Sequence, residues 1–256
     1  MSVLSYLEKR SSDAVLSGDE KSSIATSIAT LRTRLNGYFL GKLSEQFQFG
    51  SSTRGTILPR NMDSQSDIDY MIVFSDPGYG AQTYLDRVKR FAEYYYSRSE
   101  IRQSSPTVVL ELNHIKFDLV PALKDGFGYK IIGSSGGWIY TNPNDFNATL
   151  TDKNNKELFK IKPTIRLAKF WSAENGFVFD SYEFEKWIVN LSYSYCLNQT
   201  QYLFNVFDNL SPYQQTTQWR RDRVERAKTI VAQVRKYESD NMPYSAESEV
   251  KKLIRE

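Results

Sequence analysis

The sequence predicts an α/β lobe over residues 1–150 followed by an all-helical lobe over residues 151–256. Three observations carry that reading. Apolar runs of strand length, VVLEL and IDYMIVF among them, fall in the first half. Beyond Asn142 the apolar residues recur at three- and four-residue spacing instead. No internal repeat or low-complexity linker separates the halves, so two closely packed lobes with a cleft between them are expected.

The elements follow in order. Ile24, Ile28, Leu31, Leu35 and Leu40 make residues 22–40 an amphipathic helix, which Gly41 can end. Phe47 and Phe49 suit a short strand running into Gly50-Ser51. The small, polar text SSTRGTILPRNMDSQSD then reads as loop. Ile68–Phe74 is a buried strand, DPGYG a turn, and Gln82–Tyr96 a helix with an aromatic end. VVLEL and HIKFDLVPAL read as successive strands split near Asn113, with Pro121 marking the exit of the second.

In the second half, the stretch TNPNDFNATLTDKNNKE is turn-rich. Leu158, Ile161, Ile165 and Ala168 give helical periodicity toward Asn175-Gly176, and Pro163 places the start of the regular helix near itself. Ser181–Leu191 is a short helix capped by Asp180 or Ser181. Val224, Ala227, Ile230, Val231 and Val234 define a long surface helix over residues 214–237, and residues 238–256 read as a loosely attached tail.

Composition narrows the chemistry. Apolar residues make up 40% and charged residues 25% of the 256, an ordinary globular balance. No apolar run approaches the roughly 18 residues of a membrane span, and MSVLSYLEKRSSDAV has no secretion pattern, so a cytoplasmic protein without membrane attachment is expected. Cys196 is the single cysteine and His114 the single histidine, which excludes an internal disulfide and a thiolate zinc site. Any metal must then be held mainly by oxygen, pointing to magnesium, with manganese as the alternative. The net charge of +3 is compatible with an anionic substrate but does not mark a long nucleic-acid track.

Three aspartates stand inside apolar strand text. Asp67 and Asp69 flank Ile68, and Asp118 interrupts KFDLV. Side chains two apart on a strand share a face, so Asp67 and Asp69 point one way while Ile68 enters the core. Neighbouring carboxylates repel and resist desolvation unless a cation lies between them. With Asp118 on an adjacent strand they make a cluster suited to two divalent metals and to phosphoryl transfer onto a hydroxyl. Gly50 and Ser51, just ahead of that strand, would offer backbone N–H groups and a hydroxyl to phosphate. Each feature has a plainer reading alone: a strand-entrance anchor for the DxD pair, an ion pair of Asp118 with Arg60 or Lys116, a turn glycine at 50. Arg54 either reaches phosphate or ties the loop down, and the second role is preferred.

Taken together, Gly50-Ser51, Asp67-Ile68-Asp69 and Asp118 resemble the signature of the polymerase-β-like nucleotidyltransferases. More narrowly, GSSTRGTILP, SDIDYMIVF and IKFDLVPAL, with GWIYTNP and IRLAKFW, are similar to the cGAS/DncV-like nucleotidyltransferases of bacterial anti-phage (CBASS) systems, over Leu31 to Leu191. The resemblance implies a mixed-sheet catalytic lobe, a helical lobe and a nucleotide cleft. It implies Mg²⁺-dependent synthesis of cyclic oligonucleotides from ribonucleoside triphosphates, the product activating a separately encoded effector. It assigns the three aspartates to metal and catalysis, Gly50, Ser51, Lys169 and Ser181 to the triphosphate, and Tyr182 to stacking on a base. The residues themselves also allow a solvated Lys169, a capping Ser181 and a Tyr182 that is one of 17 tyrosines. One cysteine and one histidine leave no zinc-binding insertion, so a DNA activator is not expected. Two other functions compete: transfer of a nucleoside monophosphate to RNA, a protein or a small hydroxylated acceptor, and a catalytically inactive nucleotide-binding protein.

Overall fold

The computed structural model describes residues 2–104, 106–133 and 135–256. Among these described residues, seven strands and ten α-helices follow in the order α1 (Val3–Asp13), α2 (Gly18–Phe39), β1 (Leu43–Phe49), α3 (Ser51–Arg54), β2 (Asp67–Phe74), α4 (Ala81–Tyr95), β3 (Glu100–Ser104), β4 (Thr107–Glu111), β5 (Lys116–Asp125), β6 (Gly128–Ile132), β7 (Trp138–Thr141), α5 (Asp145–Lys156), α6 (Ile161–Glu174), α7 (Ser181–Asn190), α8 (Gln199–Asn209), α9 (Gln218–Ser239) and α10 (Pro243–Val250). They divide into a sheet unit, Leu16–Arg60 with Ser64–Ala148, and a helical unit, Met1–Val15, Asn61–Asp63 and Thr149–Glu256. This is a mixed α/β sheet architecture followed by a helical C-terminal lobe.

In the sheet unit the strand order is β1-β2-β5-β4-β3, with β6 pairing β5 and β7 pairing β6. β2 runs antiparallel to β1 and parallel to β5. Alternation along β2 separates two faces. Ile68, Tyr70, Ile72 and Phe74 join Phe117 and Leu119 of β5 in a core shared with α2 and α4. Met71, Val73 and Ala122 belong to a smaller cluster on the other face, together with Phe47 and Phe49. α2 forms because Ser17 and Glu20 complete a reciprocal capping box and Ile24, Leu31, Leu35 and Phe39 make a buried stripe. Its left-handed end falls at Leu40, one residue before the expected Gly41.

Three short strands, β3, β6 and β7, escape the sequence reading; most of their residues are exposed or half-buried, so they lack a buried apolar run. β5 continues past Pro121 to Asp125. Pro121 sits where pairing with β4 has ended at Leu119 and pairing with β6 begins at Ala122, the place in a central strand where a missing N–H disturbs the ladder least. Within the supposed loop after Gly50, residues 51–54 close a single helical turn.

In the helical unit, α6 begins at Ile161 with Pro163 in its first turn, and α7 is capped by Asp180, whose carboxylate accepts the Glu183 N–H at 3.0 Å. The turn-rich segment before α6 is helical instead, as α5, anchored by buried Leu150 and Asn154. The side chain of Asn154 accepts the Lys162 N–H at 2.9 Å, so its polarity serves packing rather than a turn. The expected loose tail is α10 with Ala246, Val250, Leu253 and Ile254 buried. α1 belongs to this unit rather than to the 1–150 lobe: Val3, Tyr6 and Leu7 are buried and the Tyr6 hydroxyl donates to the Ile254 carbonyl at 2.6 Å.

Candidate active site

The sheet's face opposite α2 and α4 carries the three aspartates, because odd positions of β2 and even positions of β5 point there. The register places Asp69 directly opposite Asp118 on parallel neighbours, backbones about 4.8 Å apart. One row further along, Glu111, Lys116 and Asp67 lie opposite one another across β4, β5 and β2. The Lys116 ammonium lies 3.1 Å from an Asp67 oxygen, and Arg60 pairs with Glu111. The ion pair that the sequence allowed for Asp118 with Arg60 or Lys116 is therefore not the one formed: both cations serve other carboxylates. The two-residue spacing of Lys116 and Asp118 already puts them on one face, whereas Glu111 joins Lys116 only through the β4–β5 register.

Asp118 is left exposed to repulsion. Burial pushes its carboxyl up to about 6, and the Asp67 charge adds to the shift, against smaller opposing effects of Lys116 and Arg102. Its Oδ1 is buried without a hydrogen-bond partner. A buried, unsatisfied carboxylate oxygen facing two further carboxylates is the environment a cation would satisfy.

Gly50 is the reason the loop can come so close to Asp69. Its φ of 73° and ψ of −154° lie in a region open almost only to glycine. A Cβ there would lie 1.8 Å from Asp69 Oδ2 and 2.7 Å from Asp69 Cγ. Phe49, opposite Asp69 in the β1–β2 register, delivers the chain to that point. Ser51 then opens α3. The hydroxyls of Ser52 and Thr53 turn back onto the carbonyls of Phe49 and Gly50, at 3.1 and 2.9 Å. The amides of residues 51–53 have no acceptor within the turn, as at any helix start. Arg54 is buried, its guanidinium 5.8 Å from the Phe146 ring.

The remaining sequence candidates lie in the helical unit. Lys169 is only 7% exposed, and its ammonium meets the fully buried Glu185 at 2.9 Å. Nothing in the local sequence of α7 marks Glu185 as the partner of Lys169. Ser181 occupies the first turn of α7 and is exposed, with Asp180 rather than Ser181 as the cap. Tyr182 is exposed beside Lys186, whose ammonium lies 5.2 Å from the ring.

A divalent metal fits this face by the orphaned Asp118 oxygen and the all-oxygen donor set. The carboxylates are not drawn into a closed ligand set: among the described residues, no three acidic, histidine or cysteine side chains are grouped to hold an ion.

Residues 1–154, more than half of the chain, match the family described as Second Messenger Oligonucleotide or Dinucleotide Synthetase domain. The chain belongs to this family. Solved structures extend the likeness over both units of this synthetase-family chain. Vibrio cholerae DncV cyclic AMP-GMP synthase, in complex with the linear intermediate 5′ pppA(3′,5′)pG, superposes with a TM-score of 0.81 at 11% identity, covering 99% of this chain and 95% of that one. CdnC of E. coli MS115-1 with ATP gives 0.71 at 16% identity over 99% and 98%. CdnG of Bradyrhizobium diazoefficiens with GTP gives 0.69 at 9% identity over 97% of each chain. At such identities the likeness is one of fold, and the fold is that of nucleotidyltransferase enzymes. No curated protein sequence matches the chain. No helix among the described residues is long and apolar enough to cross a membrane.

Proposed function

We propose that this protein joins ribonucleoside triphosphates into a cyclic oligonucleotide second messenger, in anti-phage signalling through a separately encoded effector. The observation that carries the reading is Asp69 opposite Asp118 on parallel strands, with an unsatisfied Asp118 oxygen beside them. The membership of the synthetase family and the cyclic AMP-GMP synthase activity of the structurally similar DncV support the product class.

In each transfer a nucleotide hydroxyl oxygen attacks the α-phosphorus of a second triphosphate. The bond from that phosphorus to the bridging oxygen breaks, and pyrophosphate leaves. Asp118, whose unsatisfied Oδ1 faces the site, helps accept the hydroxyl proton. Held by Asp67, Asp69 and Asp118, magnesium or manganese would acidify the attacking hydroxyl and offset charge on the leaving group. The Ser51 hydroxyl and the amides of residues 51–53 hold the phosphates, and Gly50 lets that turn approach Asp69. Ser181 and Tyr182 are proposed to touch triphosphate and base. Lys169 is assigned to holding α6 on α7, since Glu185 engages its ammonium. Arg54, buried under Phe146, ties the turn down.

Pyrophosphate release from each of the four ribonucleoside triphosphates, with Mg²⁺ or Mn²⁺, tests the transfer. The expected result is release by the wild type and none by Asp118→Asn. Release that appears only when RNA or a protein acceptor is added would replace the cyclase with the acceptor-directed transferase.

A further inference from the structure

The turn between α5 and α6 presents two large apolar side chains to solvent: Leu158 is 77% and Phe159 67% exposed. Both are held at positive φ, 50° and 62°, a conformation that bulky L-residues rarely adopt. The turn is nevertheless fixed. The Phe159 N–H donates to the Asn154 carbonyl at 2.7 Å and the Leu158 N–H to the Asn155 carbonyl at 3.2 Å. Glu157, the acid of the turn, is drawn aside by Lys153 at 3.1 Å and by the Tyr202 hydroxyl at 2.7 Å. What faces outward is a rigid aromatic tip flanked by exposed Lys156 and by Lys160, whose ammonium only brushes Glu8 at 3.8 Å.

The same unit holds a slot of complementary character. Between α7 and residues 210–215 lies a cavity of about 180 Å³, walled by Phe179, Phe184, Trp187 and Leu210 and edged by Asp180 and Glu183. Phe179 and Phe184 stack at 4.5 Å, and Phe184 and Trp187 at 5.9 Å, so the wall is a continuous aromatic surface. A cavity of about 150 Å³ suffices for a benzene ring. The slot therefore takes one phenylalanine ring. At the rim Glu183 pairs with Lys186 at 3.3 Å, and Asp180 spends one carboxylate oxygen on the α7 cap, leaving the other for a partner.

Tip and slot lie at opposite ends of α6, whose 14 residues span about 21 Å. One copy cannot fill its own slot. We propose that Phe159 of one copy seats in the Phe179–Phe184–Trp187 slot of a second copy, with Lys156 and Lys160 facing Asp180 and Glu183. The charges decide for a second copy: the basic, apolar tip has its acidic, aromatic counterpart on the same chain. The two surfaces differ, so the contact is head-to-tail and propagates into a ring or filament rather than closing as a two-fold dimer. Its small area places it among weak, concentration-dependent contacts.

Sedimentation velocity of the full chain from about 10 to about 500 µM tests this, spanning the affinity range of weak association. Phe159→Asp removes the ring at a position whose left-handed backbone aspartate tolerates, and Glu183→Arg reverses the rim. Both residues are exposed, and unchanged thermal melts establish that the variants fold. The wild type is expected to grow past dimer with concentration, and each variant alone to associate at least about tenfold more weakly. An equimolar mixture of the two variants is expected to give dimer and nothing larger, because one intact tip meets one intact slot. A wild type that stays monomeric throughout, variants that associate as the wild type does, or a mixture without dimer would overturn the proposal. So would monomeric wild type that cosediments with phosphatidylserine vesicles through Phe159, which would give the tip to lipid instead.

Discussion

Gly50→Ala isolates the close approach on which the site depends. The added Cβ would stand 1.8 Å from Asp69 Oδ2 and 2.7 Å from its Cγ, where real Cβ atoms do not come within 3.0 Å. The carboxylate must therefore retreat by at least 1.2 Å, from 1.8 to 3.0 Å, and swinging its tip alone does not clear Cγ. Leaving its rotamer costs about 0.5–1.5 kcal/mol, and placing alanine in a glycine-only backbone region costs about 1–3 kcal/mol. The sum is about 1.5–4.5 kcal/mol, or a fall in Tm of about 3–18 °C. Gly41→Ala is the control: its φ of 74° is also positive, but nothing lies within 4 Å of the new methyl, so only backbone strain of about 1–2 kcal/mol remains. Misplacing a reacting group by about 1 Å can cost about 100-fold in rate, so pyrophosphate release by Gly50→Ala is expected to fall that far while Gly41→Ala keeps wild-type activity. Denaturant unfolding and initial-rate assays on both variants read the two effects. Gly50→Ala protein with wild-type rates, or with the same activity loss as Gly41→Ala, would refute the reasoning.

Other consequences follow from the same geometry. Lys169→Met removes the cation 2.9 Å from the buried Glu185 and is expected to cost about 3–5 kcal/mol, whereas the Lys169→Met/Glu185→Leu double variant recovers most of it; denaturant unfolding of the cycle would show simple additivity if the two side chains were not coupled. Asp118 has a folded-state pKa raised from 3.8 to about 6, so in chelator its charge destabilises the fold progressively from about pH 4 to pH 6 and fully above that, by about 2–3 kcal/mol. Asp118→Asn is therefore expected to be more stable than the wild type at pH 7.5 in chelator and no different at pH 3.5, while losing activity; equal stability at both pH values contradicts the assignment. Ile254 is fully buried, so Ile254→Ala is expected to cost about 2–5 kcal/mol in thermal or denaturant unfolding, against less than about 0.5 kcal/mol for a loose tail.

The fold was legible where a physical signal is local. The nearly continuous apolar run from Ile68 to Phe74 and the stripes of α2 and α9 carry their burial in their composition and spacing, and the two-residue spacing of Asp67 and Asp69 sets their common face without any tertiary information. What escaped depends on partners distant in sequence. α5 reads as turn because Asn, Asp and Thr favour turns locally, and only Asn154 meeting Lys162 reverses that. The C-terminal segment looks polar until Leu253 and Ile254 find α1. Asp118 could be placed in a strand, but its position opposite Asp69 is a matter of register, and the diversion of Lys116 to Asp67 follows from the same register. Lys169 looked equally fit for solvent or phosphate because nothing near it in sequence announces Glu185.

Mass spectrometry of products from all four ribonucleoside triphosphates with Mg²⁺ or Mn²⁺ tests the central claim most directly, run beside Asp67→Ala/Asp69→Ala protein. Cyclic oligonucleotides are expected from the intact chain and from it alone, their masses naming the bases. Cyclic product from the double variant would contradict the three-aspartate site, and bound but unreacted nucleotide in both proteins, under either metal, would contradict the transfer itself.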